Sequence, residues 1–149
     1  MSEKRTHIAI MKSAWNLTEK ILRGEKKIES RWYENRYRPW GKINKGDVIY
    51  FRDSGKPVTA KAEVSKVEQY SNLNKEKIEK LLKKYPPQDL GITKIFEEVK
   101  KYAANKNYCI FITLENPQPV EPFEIDKTGY GAMASWLIVD DIKKIKINP

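Results

Sequence analysis

Cysteine and histidine are nearly absent from this 149-residue chain: there is one of each, Cys109 and His7. A lone cysteine excludes an internal disulfide framework, and with a lone histidine it cannot furnish the nitrogen and sulfur ligands of a structural zinc site. No apolar run approaches the ~18 residues of a membrane-spanning helix, and Met1-Ser2-Glu3-Lys4-Arg5 leads into no signal-peptide core. A soluble, cytoplasmic protein with no metal site and no membrane partner is expected. Glycine-rich phosphate loops are missing as well. There is no Walker A sequence and no G-x-G-x-x-G, Gly129-Tyr130-Gly131 being too short, so no cofactor is expected. A Ser-His-Asp triad would have to draw on His7, which sits inside an apparent N-terminal strand and reads as structural.

What is plentiful is positive charge. Lys and Arg number 29 against 20 Asp and Glu, a formal +9. The excess is uneven: residues 1–60 carry 14 basic and 7 acidic side chains, whereas residues 61–149 carry 15 and 13. All six arginines, Arg5, Arg23, Arg31, Arg36, Arg38 and Arg52, fall in the first 52 positions. Guanidinium forks match phosphate and base edges better than ammonium groups do, so arginine segregated in this way points to a polyanionic partner. The length suits one domain over residues 1–149, long enough to bury a real core.

The apolar pattern places the elements. His7–Met11 reads as a buried strand, Ser13 as the N-cap of a helix showing Ala14, Leu17, Ile21 and Leu22 on one face, and Gly24 as its stop. Strands follow over 26–31, 48–51 and 58–67, with an irregular stretch over 32–46 and a turn at 53–57. The alternation of Val58, Ala60, Ala62 and Val64 slips by one before Val67, which marks a β-bulge. Helices begin at Asn74, with Ile78, Leu81 and Leu82 inward and a stop at Pro86-Pro87, and near Thr93, with Phe96, Val99 and Ala103 inward. Tyr108–Leu114 and Ile142–Ile147 complete the strands. Dispersed, bulged strands with interposed helices predict an α+β fold, a small β-barrel with helices packed around it.

Two stretches carry chemistry. In Gly24-Glu25-Lys26-Lys27-Ile28-Glu29-Ser30-Arg31, strand alternation puts Glu29 and Arg31 on the face opposite Ile28 and Lys26. With Ile28 in the core, they point to solvent or into a cleft beside the barrel. In Arg31-Trp32-Tyr33-Glu34-Asn35-Arg36-Tyr37-Arg38-Pro39-Trp40, three arginines and four aromatics surround a single acid. Aromatic faces that stack on unpaired bases, interleaved with arginines that pair with phosphate, suit single-stranded nucleic acid. Core-capping by Trp32 and Trp40, and core packing of Trp136 behind the small residues 131–135, are the competing roles.

Together, His7-Ile8-Ala9-Ile10-Met11-Lys12, the Gly24-x-Lys26-x-x-Glu29-x-Arg31 signature, and Lys45-Gly46-Asp47 before the apolar Val48–Phe51 resemble an ASCH domain, a member of the PUA-like superfamily. The resemblance implies a PUA-like barrel with a cleft into which Lys26, Glu29 and Arg31 project toward RNA or a nucleobase. Some ASCH proteins are amidohydrolases acting on N4-acetylcytidine, with a threonine nucleophile three residues after the lysine and a glutamate from a later helical region. Here Glu29 stands at the threonine position, and the glutamate position falls near Gln88 or Asp89. A carboxylate replaces an activated hydroxyl poorly.

The expectation is therefore an RNA-binding, ASCH-type protein with a basic cleft that recognises a base, including a modified one. Lys12, Lys26, Glu29, Arg31, Trp32, Arg36, Arg38 and Arg52 are its candidate nucleic-acid-binding residues, and RNA, another single-stranded nucleic acid or a nucleoside its partner. The alternative is a small hydrolase acting on a modified nucleoside or on RNA, with Lys26 and Glu29 as its catalytic pair.

Overall fold

The computed structural model describes residues 4–131 and 133–147. Its strands are β1 (Thr6–Met11), β2 (Ile28–Tyr33), β3 (Val48–Asp53), β4 (Val58–Tyr70), β5 (Tyr108–Ile125), β6 (Trp136–Val139) and β7 (Lys146–Ile147). They form one curled, mixed sheet in the order β2-β5-β4-β3-β1-β6, with β7 paired to β5. Only β1 and β3 run parallel; the other pairs are antiparallel. The expected barrel is a half-barrel, because among the described residues the ends of the path, β2 and β6, are not paired to each other. The expected bulge lies at Val64/Lys66, one of three register shifts that let β4 bend against β5.

Helices α1 (Leu17–Leu22), α2 (Lys75–Lys84), α3 (Pro87–Leu90) and α4 (Phe96–Ala103) pack around this sheet. Helix α2 follows its sequence closely. The Asn74 side chain accepts from the Lys77 amide at 2.8 Å, and Ile78, Leu81 and Leu82 are buried. Pro86-Pro87 ends α2 as expected but also starts a new turn, since Pro87 is well suited to the first position of α3. Ser13 is not a helix cap. It opens a 3-10 turn over Ser13–Trp15, its hydroxyl donates to the Ser54 carbonyl, and α1 begins only after Asn16, which has φ 53°.

Two more segments depart from the pattern. β5 continues to Ile125 through Pro117, Pro119 and Pro122. Between Leu114 and Phe123 it has only β4 beside it, and prolines are tolerated where one edge needs no amide donors. The last predicted strand is a 3-10 turn over Ile142–Lys144 followed by the two-residue β7, while the small-residue segment before Trp136 leads into β6. The main core lies between the concave sheet and the helices and includes Ile21, Phe51, Leu90, Ile110, Phe111 and Trp136. No helix among the described residues is long and apolar enough to cross a membrane.

His7 is fully buried and belongs to this scaffold. The Trp136 indole can only donate, and it donates to His7 Nδ1 at 3.0 Å, which places the imidazole proton on Nε2, facing Asp47 Oδ2 at 2.8 Å. Asp47 also accepts from the amides of Arg5 and Asn44. Burial pulls the His7 pKa below 6.5, outweighing the pull of Asp47 in the other direction. A group whose folded pKa is depressed contributes stability that is complete above its unfolded value and lost as pH falls through the folded one. Stability is thus expected to fall as pH drops below 6.5, before the carboxylates titrate. Urea melts from about pH 7 to pH 5 should show this slope in the wild type and a flatter one in His7→Gln; equal slopes would contradict it.

Candidate functional site

Where β2 begins, the chain brings three charged side chains out of water. Gly24, at φ 77°, ends the α1 turn, and Lys26 lies in the extended connection before β2. Strand alternation therefore does not govern Lys26, and its side chain turns back toward Glu29, contrary to the opposite-face expectation. Lys26 and Glu29 are each 3% exposed. Lys26 Nζ donates to the carbonyls of Ile28 (2.7 Å) and Leu90 (2.6 Å) and lies 3.3 Å from Glu29 Oε1. Three acceptors and no donor around one nitrogen require the ammonium form.

Glu29 is equally saturated. Oε1 accepts from the Ser30 amide as well as from Lys26, and Oε2 accepts from Arg31 Nη2 (3.0 Å) and Nε (3.2 Å). Burial alone would raise the Glu29 pKa, but the adjacent Lys26 and Arg31 charges hold it below its ordinary 4.5. For Lys26, burial outweighs the support of Glu29 and lowers the pKa. Arg31 completes the group: burial works against its charge, yet Glu29 raises its pKa.

Arg31 also spans the open side of the half-barrel. From β2 its Nη2 reaches the Ile10 carbonyl on β1 (3.3 Å), and its Nη1 reaches the Ser135 carbonyl just before β6 (3.4 Å). Its guanidinium lies 5.0 Å from the centre of the Trp136 ring, so the His7–Asp47 pair supports the triad through Trp136. Gly91, the left-handed C-cap of α3, lets that helix approach: a Cβ there would lie 2.8 Å from Lys26 Cβ.

Above this floor opens a cavity of about 450 Å³, within the ~300–1,000 Å³ typical of small-ligand sites. Lys12, Lys26, Glu29, Arg31 and Trp32, among the residues singled out in the sequence, line it together. Arg36, Arg38 and Arg52 do not. Arg36 is exposed over the Tyr108 ring, Arg38 lies against Tyr37, and Arg52 sits half-buried at the end of β3. Gln88 and Asp89 are also outside the lining; the acid that α4 brings to it is Glu98. Three cations and two carboxylates thus surround the cavity. Trp32 is 3% exposed and packs edge-on against Phe111, and Trp40 packs against Tyr108, so both serve the core in the way sequence reasoning set against stacking.

Trp15 and Tyr102 line the cavity although neither was singled out in the sequence, and Ser30, Tyr33 and Ser135 line it from within stretches that were. Burial pushes the Tyr33 phenol up to about 12, and it donates to the Arg38 carbonyl at 2.7 Å, linking the cavity wall to the 34–40 loop. The i,i+3 spacing of Lys12 and Trp15 and the i,i+4 spacing of Glu98 and Tyr102 were the available signals. Each becomes informative only once the 3-10 turn and α4 are known to face the same hollow.

The architecture has solved counterparts. The crystal structure of ASCH from Zymomonas mobilis matches with a TM-score of 0.70 at 14% identity, over 95% of this chain and 92% of that one. A tyrosine-to-phenylalanine variant of the same protein gives 0.68 at 14% identity, over 95% and 94%. A serine-to-alanine variant gives 0.68 at 12% identity, over 97% and 94%. The chain therefore shares the α+β fold of these ASCH structures. No protein-family model and no curated protein matches its sequence.

Proposed function

With the ASCH fold as premise, we propose that this protein binds single-stranded RNA and seats an unpaired base, plain or modified, in the cavity above Lys26, Glu29 and Arg31. The observation that carries the reading is the concave 450 Å³ site floored by a buried, mutually saturated ion triad. Such a floor is rigid and keeps its charges without a ligand, so a guest meets a preorganised surface. Arg31, whose side chain is 13% exposed, is the triad member best placed to donate to a base or phosphate oxygen. Arg36, Arg38 and Arg52, away from the cavity, would supply sequence-independent phosphate contacts along the strand.

The hydrolase reading draws less from this geometry. A general base needs an unoccupied lone pair, and a proton donor needs a proton free to leave. The Lys26 protons face three acceptors, and the Glu29 oxygens accept from Lys26, Ser30 and Arg31. A binding role asks for no such rearrangement.

Fluorescence anisotropy with labelled single-stranded RNA across a salt series tests the proposal. Affinity should fall steeply with salt. Replacing both Arg36 and Arg38 by alanine should weaken all sequences alike and reduce the salt slope by roughly 1.4, two phosphate contacts at ~0.7 each. Salt-independent binding, or equal binding of an acidic peptide, would defeat it. Turnover of an acylated nucleoside or of RNA that vanishes in Glu29→Gln while binding persists would replace it with the hydrolase.

A further inference from the structure

The aromatic rings of the cavity fall into two groups. Trp32 packs on Phe111, with centroids 5.6 Å apart, and Tyr33 packs on Tyr37 at 5.5 Å; both rings belong to the protein's own packing. Trp15 and Tyr102 differ. Among the described residues neither makes a ring–ring contact, and neither the Trp15 indole N–H nor the Tyr102 hydroxyl has a hydrogen-bond partner. Each instead carries an ammonium over its ring, Lys12 over Trp15 and Lys106 over Tyr102, both at 4.6 Å. Trp15 is half-buried in the 3-10 turn after β1 and lines the cavity with Lys12, whereas Tyr102, 53% exposed on α4, lines it with Lys106 behind, outside the lining.

With no ring packed on them and their polar tips open to water, these two rings keep faces free at the cavity, and a base stacks on such a face whatever its identity. An ammonium held at the ring is placed for the phosphate joined to that base. Among the described residues Lys106, its side chain 18% exposed, has one loose carboxylate partner, Glu34 at 3.7 Å with its side chain 64% exposed, which an RNA phosphate can displace. Glu98, one turn before Tyr102 and also lining the cavity, repels phosphate and favours a backbone path on the Lys106 side. We propose that Trp15 and Tyr102 form a stacking mouth for unpaired RNA bases at the cavity rim, with Lys12 and Lys106 holding the adjoining phosphates. This rests on the RNA-binding reading above and adds to it the residues that distinguish a single strand from a duplex.

The test uses the full chain and a labelled oligouridylate of about 12 nucleotides, alone and annealed to its complement, the length being within known single-strand site sizes. Tyr102→Leu and Trp15→Leu should each weaken single-strand binding about tenfold, Tyr102→Phe and Trp15→Phe should stay within about twofold, and the duplex should bind less tightly than the single strand. Rescue by phenylalanine separates stacking from a general loss of structure, and Tyr102 is exposed enough for its leucine variant to fold. Lys12→Gln with Lys106→Gln should reduce the salt slope by about 1.4. If the wild type binds but the leucine variants bind equally well, or the duplex binds as tightly, the stacking mouth is wrong while RNA binding stands. If the wild type binds neither strand nor duplex, both readings fall.

Discussion

Glu29→Ala is expected to destabilise the protein by about 3–5 kcal/mol, the range found when one member of a buried ion pair is removed and its partner is left uncompensated. The triad makes the case sharper than a simple pair. Lys26 and Arg31 share one carboxylate at 3.3 and 3.0 Å, so its loss leaves two buried cations facing each other. Lys26→Met removes the surplus cation instead and leaves a charge-balanced Glu29–Arg31 pair. Its cost should come from the carbonyls of Ile28 and Leu90, left without their donor, at about 1–3 kcal/mol. Urea denaturation should therefore rank Glu29→Ala below Lys26→Met in stability. The opposite order, or a loss under about 1 kcal/mol for Glu29→Ala, would mean that water already reaches these groups.

Acid should act through the same carboxylate. Its folded pKa lies below 4.5, so its contribution is complete above 4.5 and drains away as pH falls through the lower folded value. That window opens at 4.5, below the 6.5 at which the His7 window opens.

Gly91→Ala is expected to cost about 2–5 kcal/mol, adding a left-handed backbone penalty of ~1–2 kcal/mol to an overpacking penalty of ~1–3 kcal/mol. Gly91 has φ 72°, and a new Cβ would meet Lys26 Cβ at 2.8 Å, Cγ at 3.1 Å and Cδ at 3.2 Å. These atoms lie at the root of a side chain whose far end is pinned by three acceptors, so it cannot swing aside without breaking the triad. Gly55→Ala is the natural comparison: φ is 80°, but nothing lies within 4 Å of the added atom. It should show the backbone penalty alone, and the difference between the two variants isolates the contact with Lys26. Matching losses would show that the 87–91 turn shifts freely and does not hold the lysine. RNA binding should fall with Gly91→Ala and remain unchanged with Gly55→Ala.

These variants bear on how the site is built. The signature residues form a floor, and their charges are satisfied within the protein. On the proposed function, Arg31 is the floor residue left to meet a ligand, and the proposed stacking rings come from the 3-10 turn and α4 and not from the strand carrying the motif. The arginine- and aromatic-rich stretch at 31–40 contributes Arg31, Trp32 and Tyr33 to the cavity, Trp32 also packing into the core, while Tyr37 and Trp40 close against neighbouring rings. Arg36 and Arg38 remain outside, suited to phosphates at a distance from the pocket.

Local pattern was sufficient for much of the fold. Short apolar runs located β1 and β3, alternation located most of β4, the slip after Val64 located a bulge, and Asn74 with Ile78, Leu81 and Leu82 located α2 and its buried face, because these features depend on neighbours three or four residues away. Lys26, Glu29 and Arg31 were grouped only by the family resemblance, since strand alternation set Lys26 on the opposite face and could not anticipate that it precedes the strand. Which way Lys26 turns was decided by Leu90 and Gly91 arriving from α3, and with it the approach of its ammonium to Glu29. The extension of β5 through three prolines depended on a free sheet edge, and β6 on pairing with β1. The cavity exists because the half-barrel stays open between β2 and β6 and is spanned by a single arginine. Residues 15, 102 and 135 meet there only after the chain has closed on itself, and separations that long leave no periodic trace in a sequence.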